Sequence, residues 1–223
     1  MRVLIFGATG MVGQGVLREC LLAEDVEHVL AVGRTATGLH QSKLRELVIA
    51  DLHNVAAYES QLRGFDSCFY CLGVSSAGIT EAAYTALTYE LTFAIASRLA
   101  LLKPTMTFVY VSGQGTDSSE RGRIMWARIK GRLENALLRM PFHACMFRPG
   151  LIVPLHGIRS KTRAYRILYT AMKPLLPLLH RAFPNHVLTT EEVGQAMLTA
   201  ARNGTTKTIL ETKDLRALLS SAN

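Results

Sequence analysis

Gly7-Ala8-Thr9-Gly10-Met11-Val12-Gly13 sets three glycines three apart, directly after the apolar run Val3-Leu4-Ile5-Phe6. The apolar run reads as a buried strand, and Val12, Val16, Leu17 and Leu21 then recur at helical spacing as far as Leu22. A strand, a glycine turn and a helix in that order can hold an anion. Glycine lets the backbone turn tightly and approach a ligand, and the first turn of a helix offers N–H groups with no internal partner. The spacing is G-x-x-G-x-x-G rather than G-x-G-x-x-G, and a loose glycine pattern alone carries little. Between a strand and a helix it predicts a dinucleotide pyrophosphate against Gly7, Thr9, Gly10, Met11, Val12 and Gly13, as opposed to a plain tight turn.

The end of the second strand-like run chooses between two forms of such a nucleotide. An acid there would accept hydrogen bonds from ribose hydroxyls. This chain has Val32-Gly33-Arg34-Thr35 instead, and a guanidinium pairs with a 2′-phosphate through two parallel hydrogen bonds. Gly33 and Arg34 therefore point to NADP(H); the plainer alternative is a solvated loop arginine. Asp51-Leu52 follows the third run, where an Asp commonly sits near the adenine ring. Cys71-Leu72-Gly73 follows the fourth, where a glycine lets the backbone pass close to the cofactor.

These residues need a scaffold that brings strand ends together. Strand-like runs fall at Val3 to Phe6, Val29 to Val32, Glu46 to Ile49, Ser67 to Cys71, Thr107 to Val111 and His143 to Phe147. Helix-like segments lie between them at Val12 to Leu22, Asn54 to Leu62, Thr80 to Leu102 and Ile124 to Met140; only a short loop joins the second and third strands. Near-continuous apolar strands alternating with helices predict an α/β fold, a doubly wound parallel sheet of order 3-2-1-4-5-6. After Pro149 the pattern changes to a helical stretch from Ile158 to Met172, interrupted by Pro174 and Pro177. A helix from Thr190 to Arg202, capped by Thr189 or Thr190, follows, then a strand at Thr208 to Leu210 and a last helix from Asp214 to Leu219. The expectation is one domain over residues 1–223 with a small C-terminal helical lobe, residues 151–190 forming a lid or substrate-side insertion.

Composition limits the remaining classes. No apolar run approaches the roughly 20 residues of a membrane span. The first strand begins almost at residue 1, so no signal peptide and a cytoplasmic location are expected. The chain has four cysteines, and no Cys/His grouping has zinc spacing, so no metal is expected. Cys68-x-x-Cys71 lies in an apolar strand, where residues three apart face opposite ways, so these thiols should diverge as ordinary buried cysteines. The net charge of +8 is local: between Glu134 and Glu191 there is no acid, and the eight bases there equal the whole excess. Such a field favours an anionic partner. The basic, leucine-rich segment 159–183 reads as a substrate lid in preference to a dimer contact or a membrane-surface contact. No interleaved aromatics or groove-reading motif supports nucleic-acid binding.

Together these residues resemble the short-chain dehydrogenase/reductase superfamily, and most closely its atypical NAD(P)-binding, Tat-interacting-protein-like and epimerase-related members. The resemblance rests on Gly7 to Gly13, Gly33-Arg34, Asp51-Leu52, Cys71-Leu72-Gly73, Tyr110-Val111-Ser112, Lys130 and Arg148-Pro149-Gly150. It implies NADP(H) bound across the strand ends. Pro149, Gly150, Leu151 and Ile152 would pass the nicotinamide, Ser112 would hold a substrate carbonyl, and Lys130 would bind the nicotinamide ribose. Active members carry Tyr-x-x-x-Lys; here the residue four before Lys130 is Trp126. An indole N–H donates a hydrogen bond but does not titrate usefully, so it is no general acid or base. The proton could come from Tyr84, Tyr110, His156 or a water held by Ser112. Tyr169-x-x-x-Lys173 fits the bare pattern but lies beyond the sixth strand. The expected function is an NADP(H)-binding oxidoreductase-like protein, with Ser112 and Lys130 as its catalytic pair and an unidentified small carbonyl substrate. The alternative is a catalytically silent NADP(H)-sensing protein. A monomer or a homodimer suits either.

Overall fold

The computed structural model describes residues 1–158, Phe183 and residues 185–220. Seven parallel strands run β1 (Arg2–Phe6), β2 (His28–Gly33), β3 (Leu44–Val48), β4 (Ser67–Tyr70), β5 (Thr107–Val111), β6 (His143–Arg148) and, after a two-stranded unit of β7 (Leu151–Val153) and β8 (Val187–Thr189), β9 (Ile209–Glu211). Their order is β3-β2-β1-β4-β5-β6-β9. This is the expected doubly wound order with β9 added beside β6, Phe147 opposite Leu210. The order reverses at the β1–β4 junction: β1 pairs with β2 on one side and β4 on the other, Val3 lying opposite Val29 and Ser67.

Strand alternation sorts β1 between two cores. Val3 and Ile5 pack on one face with Val16, Leu17 and Leu188; Leu4 and Phe6 pack on the other with Leu62, Tyr70 and Leu99. Burying such side chains stabilises by about 1.5–3 kcal/mol each, so a sheet covered on both faces reads as uninterrupted apolar runs. The C-x-x-C thiols diverge as strand geometry requires. Cys68 joins the Leu4 face, and Cys71, just past β4, packs against the other.

Helix α1 (Met11–Leu22) follows the glycine loop. The segment expected as an α-helix from Asn54 is a 3₁₀ stretch over Leu52–Leu62, broken at Tyr58 (φ −109°, ψ 18°). The helix expected from Thr80 to Leu102 is also interrupted: α2 (Glu81–Thr85) passes through a π turn at Ala86–Glu90 into α3 (Leu91–Leu102). Apolar spacing does not register the extra residue a π turn inserts. Then come α4 (Met125–Leu137), α5 (Thr190–Asn203) and α6 (Thr212–Ser220). Thr189 and Glu192 close a reciprocal capping box on α5. Of the C-terminal lobe, residues 159–182 lie outside the described residues, and with them Tyr169, Lys173 and six of the eight bases of the acid-free stretch. The described remainder belongs to the main body, with β9 in the sheet and α5 against α1.

That helix pair depends on two glycines. A Cβ on Gly15 would lie 2.5 Å from the Thr190 carbonyl oxygen, and one on Gly194 would lie 2.7 Å from Glu19 Cγ. Gly15→Ala is expected to lower stability by about 1–3 kcal/mol through overpacking. Gly73→Ala, whose Cβ meets nothing within 4 Å, should change it by less than about 0.5 kcal/mol. Urea unfolding of both variants checks the contrast.

Candidate functional site

The chain leaves β1 at Gly7 with φ +84°, a conformation that favours glycine. The space is as restrictive as the torsion, because a Cβ on Gly7 would lie 2.8 Å from Leu72 N. The Gly10 N–H donates to the Gly7 carbonyl at 2.9 Å, which closes the turn. Gly10 is then the N-cap of α1, no side chain caps the helix, and no acid occupies its first turn. The helix presses so closely on the turn that a Cβ on Gly13 would fall 2.1 Å from the Gly7 oxygen. The result is a helix start whose first N–H groups face the C-terminal ends of β1 and β4, with the partial positive charge of the helix behind them.

A cavity of about 660 Å³ opens over this point. Its glycine-loop wall is Gly7, Thr9, Gly10, Met11 and Val12. Gly33, Arg34 and Thr35 close one end; Cys71, Leu72 and Gly73 form the β4 lip. Val111, Ser112, Gly113 and Lys130, with Pro149, Gly150 and Ile152, form the far end. Arg34 is exposed and makes no ion pair or hydrogen bond to the described residues.

Four anticipated residues do not line the cavity. Gly13 is used up in helix-to-turn packing. Asp51 caps the 3₁₀ segment, its carboxylate accepting from the His53 N–H at 3.0 Å, while Leu52 is buried in the core. Leu151 turns to the Val153 and Val187 side of β7, opposite to Ile152. The Gly150 N–H donates to Thr212 Oγ1 at 2.8 Å and the Leu151 N–H to the His186 carbonyl at 3.0 Å, so both donors are already engaged. Three lining residues were missed: Thr35, Val111 and Gly113. Each adjoins an anticipated residue, and the rule that ligands lie beyond the carboxyl ends of strands would have included them.

At the far end the polar groups are tied together. Ser112 is buried; its hydroxyl donates to the Phe147 carbonyl at 3.2 Å and its N–H to the same oxygen at 2.9 Å. Lys130 Nζ donates to the Ser112 carbonyl. Burial pushes the Lys130 ammonium down from 10.5 to about 8, although Glu134, one helical turn on, favours the charge. Trp126 lies one turn before Lys130 but does not line the cavity; its ring edge lies 3.5 Å from where a Gly115 Cβ would be. Tyr84 and Tyr110 are buried to 1 % exposure and do not line it either. His156 opens on a separate depression of about 480 Å³ beside Thr9, Gln14, Arg18 and Leu39, and its Nε2 lies 2.6 Å from Glu191. Beneath α4, Arg148 Nε donates to both oxygens of the fully buried Glu134 at 3.1 Å, and Arg148 Nη2 donates to Ser118 at 2.5 Å. Among the described residues no His, Cys, Asp and Glu grouping could hold a metal.

No protein-family model matches the chain, and no curated protein matches it. Solved structures do. A short-chain dehydrogenase/reductase from Saccharomyces cerevisiae is similar with a TM-score of 0.69 at 13% identity, over 98% of this chain and 98% of that one. A UDP-glucose 4-epimerase has a TM-score of 0.70 at 14% identity, over 96% and 80%. The Bordetella bronchiseptica enzyme WbmG, in complex with NAD, has 0.68 at 12%, over 100% and 78%. The likeness is one of fold: the chain has the doubly wound Rossmann fold that these structures share.

Two outcomes follow from the far end. Glu134→Gln leaves the buried Arg148 with only the more distant, partly exposed Glu211 (3.5 Å) as a charge partner, and is expected to cost about 3 kcal/mol in equilibrium unfolding. Lys130 holds its proton less tightly folded than unfolded, so unfolding takes up a proton between about pH 8 and 10.5. The group therefore costs stability below that window, and the cost is relieved as pH rises through it. Wild type should gain on Lys130→Met across that interval when urea midpoints are compared; a constant difference would contradict this.

Proposed function

We propose that the cavity binds a nicotinamide adenine dinucleotide, in the form NADP(H), and that the protein is an oxidoreductase of the short-chain dehydrogenase/reductase type acting on a carbonyl compound. The observation that carries the reading is an uncapped helix start, held by glycines against the point where strand order reverses, at the floor of a cavity of about 660 Å³. That volume lies within the range of small-molecule and cofactor sites. The cradle fits a pyrophosphate, since the α1 start that lines it has no side-chain cap and no acid in its first turn. In this reading Met11 and Val12 N–H groups hold the pyrophosphate, Arg34 and Thr35 meet the 2′-phosphate, and Lys130 meets the nicotinamide ribose. Ile152 is the residue of its turn left to meet the carboxamide. The bound group supplies a hydride donor or acceptor. WbmG in complex with NAD supports the dinucleotide class; the choice of NADP(H) rests on Arg34 and on the lack of an acid at the end of β2.

Titration calorimetry with NADP⁺, NADPH, NAD⁺ and NADH tests this. NADP(H) is expected to bind at least about tenfold tighter, the scale of one 1.4 kcal/mol contact, and Arg34→Asp to erase or invert the preference. No dinucleotide heat would overturn the reading, and an unchanged ratio in the variant would overturn the choice of NADP(H).

Trp126 favours a second reading, in which the protein senses NADP(H) and acts through a partner. Its signature is tight NADP(H) binding with almost no NADPH oxidation, and turnover gained by Trp126→Tyr.

A further inference from the structure

We propose that Lys130 is itself the acid–base group of the cavity, its ammonium giving a proton to the oxygen of a bound carbonyl compound, so that the site works without a tyrosine. This rests on the dinucleotide reading above and goes beyond it by naming the proton's source.

The cavity leaves few candidates. Among the described lining residues only Arg34, Cys71 and Lys130 titrate. A guanidinium does not give up its proton, and Arg34 stands at the other end of the crevice, on the loop after β2. Burial pushes the Cys71 thiol up to about 12, and it sits on the β4 lip. The aromatic candidates are elsewhere. Tyr110 packs within the core, its ring tilted against Tyr70 at 6.0 Å, and the Tyr70 hydroxyl accepts from Thr92 at 2.9 Å. Trp126 packs toward Gly115 and carries a donor that does not titrate. His156 is bound to Glu191 at the separate depression.

Ser112 cannot take the role as it stands, because its hydroxyl proton is directed to the Phe147 carbonyl. The same serine positions the lysine: its carbonyl oxygen accepts one Lys130 N–H and holds the amine on the β5 wall of the cavity. An ammonium has three N–H donors, so two remain, one for a ribose hydroxyl and one for a substrate oxygen. Burial tunes the group as well. A lysine near its usual 10.5 would hold the proton too tightly, whereas one near 8 is matched to neutral pH.

In reduction, a Lys130 N–H bond breaks and its electron pair stays on nitrogen. The proton forms an O–H bond with the carbonyl oxygen, which receives the C=O π pair as hydride from the dihydronicotinamide bonds to the carbon. An alcohol and the oxidised dinucleotide result, and the neutral amine regains a proton from solvent.

The test uses the full chain in three measurements. Lysines reductively methylated with ¹³C are titrated by NMR. The resonance missing from Lys130→Arg, which is also the one that moves on adding NADP⁺, should titrate near pH 8. Calorimetry should show that Lys130→Arg still binds NADP⁺, so that its rate is compared at saturating cofactor. NADPH-dependent reduction of 9,10-phenanthrenequinone by wild type should fall above about pH 8, and Lys130→Arg should lose about a hundredfold or more, the scale of general acid catalysis. A Lys130 resonance titrating near 10.5 would overturn the proposal. So would a variant rate within about tenfold of wild type, or wild type that binds NADPH but reduces nothing. The last result leaves the dinucleotide reading intact and favours the sensing role, whereas absence of any dinucleotide heat removes both.

Discussion

The contact between Gly13 and the Gly7 carbonyl governs the arrangement of this molecule. The helix can lie this closely against the end of its preceding strand only because Gly13 carries no side chain at the crossing, where a Cβ would approach the Gly7 oxygen to 2.1 Å. The close approach aims the start of α1 at the crevice between β1 and β4, where the order of the sheet reverses. The middle of the helix is held in the same manner, by Gly15 and by Gly194 of α5. The glycines thus set both the anchorage of α1 and the direction in which its free N–H groups point. Substitution at Gly13 would disturb the cradle and the core together.

The opposite wall is built from buried charge. Glu134 and Arg148 neutralise each other under α4, and Arg148 continues to Ser118 in the loop after β5. That pairing fixes α4 against β6 and against the loop, and so fixes Lys130 one turn before Glu134. Gly131 completes the fit, since a Cβ there would fall 1.7 Å from the Asp117 carbonyl oxygen. The lysine is drawn toward Ser112 on a helix that has little freedom to shift. A buried pair of this kind contributes little net stability over well-packed apolar residues, so its value here lies in orientation.

Much of this was legible in the chain. Continuous apolar runs announce a sheet covered on both faces, and the glycine spacing between Phe6 and Met11 announces the cradle. Arg34 was found by its position after a predicted strand, and Ser112 and Lys130 by family resemblance; all three line the cavity. Legibility failed where structure depends on a single extra or misplaced residue. The π turn at Ala86–Glu90 keeps the helical run of apolar residues, so periodicity alone reads one helix through it. The 3₁₀ stretch over Leu52–Leu62 likewise presents buried Leu52, Val55 and Leu62 at a spacing compatible with an α-helix. Asp51 and Leu52 show a different failure. Their place after a strand was read correctly, but a carboxylate there can cap its own backbone and a leucine can turn inward, and spacing does not distinguish these from facing a ligand. The engagement of the Gly150 N–H by Thr212 joins residues 62 apart in sequence, which no local pattern conveys.

The central claim is that the α1 start and Arg34 together grip the phosphates of NADP(H). The most direct measurement is a crystal structure of the protein soaked in saturating NADP⁺. The account predicts pyrophosphate oxygens within hydrogen-bond distance of the Met11 and Val12 N–H groups, and the 2′-phosphate against the Arg34 guanidinium. Solvent alone in the crevice, or a nucleotide bound anywhere else on the molecule, would contradict it.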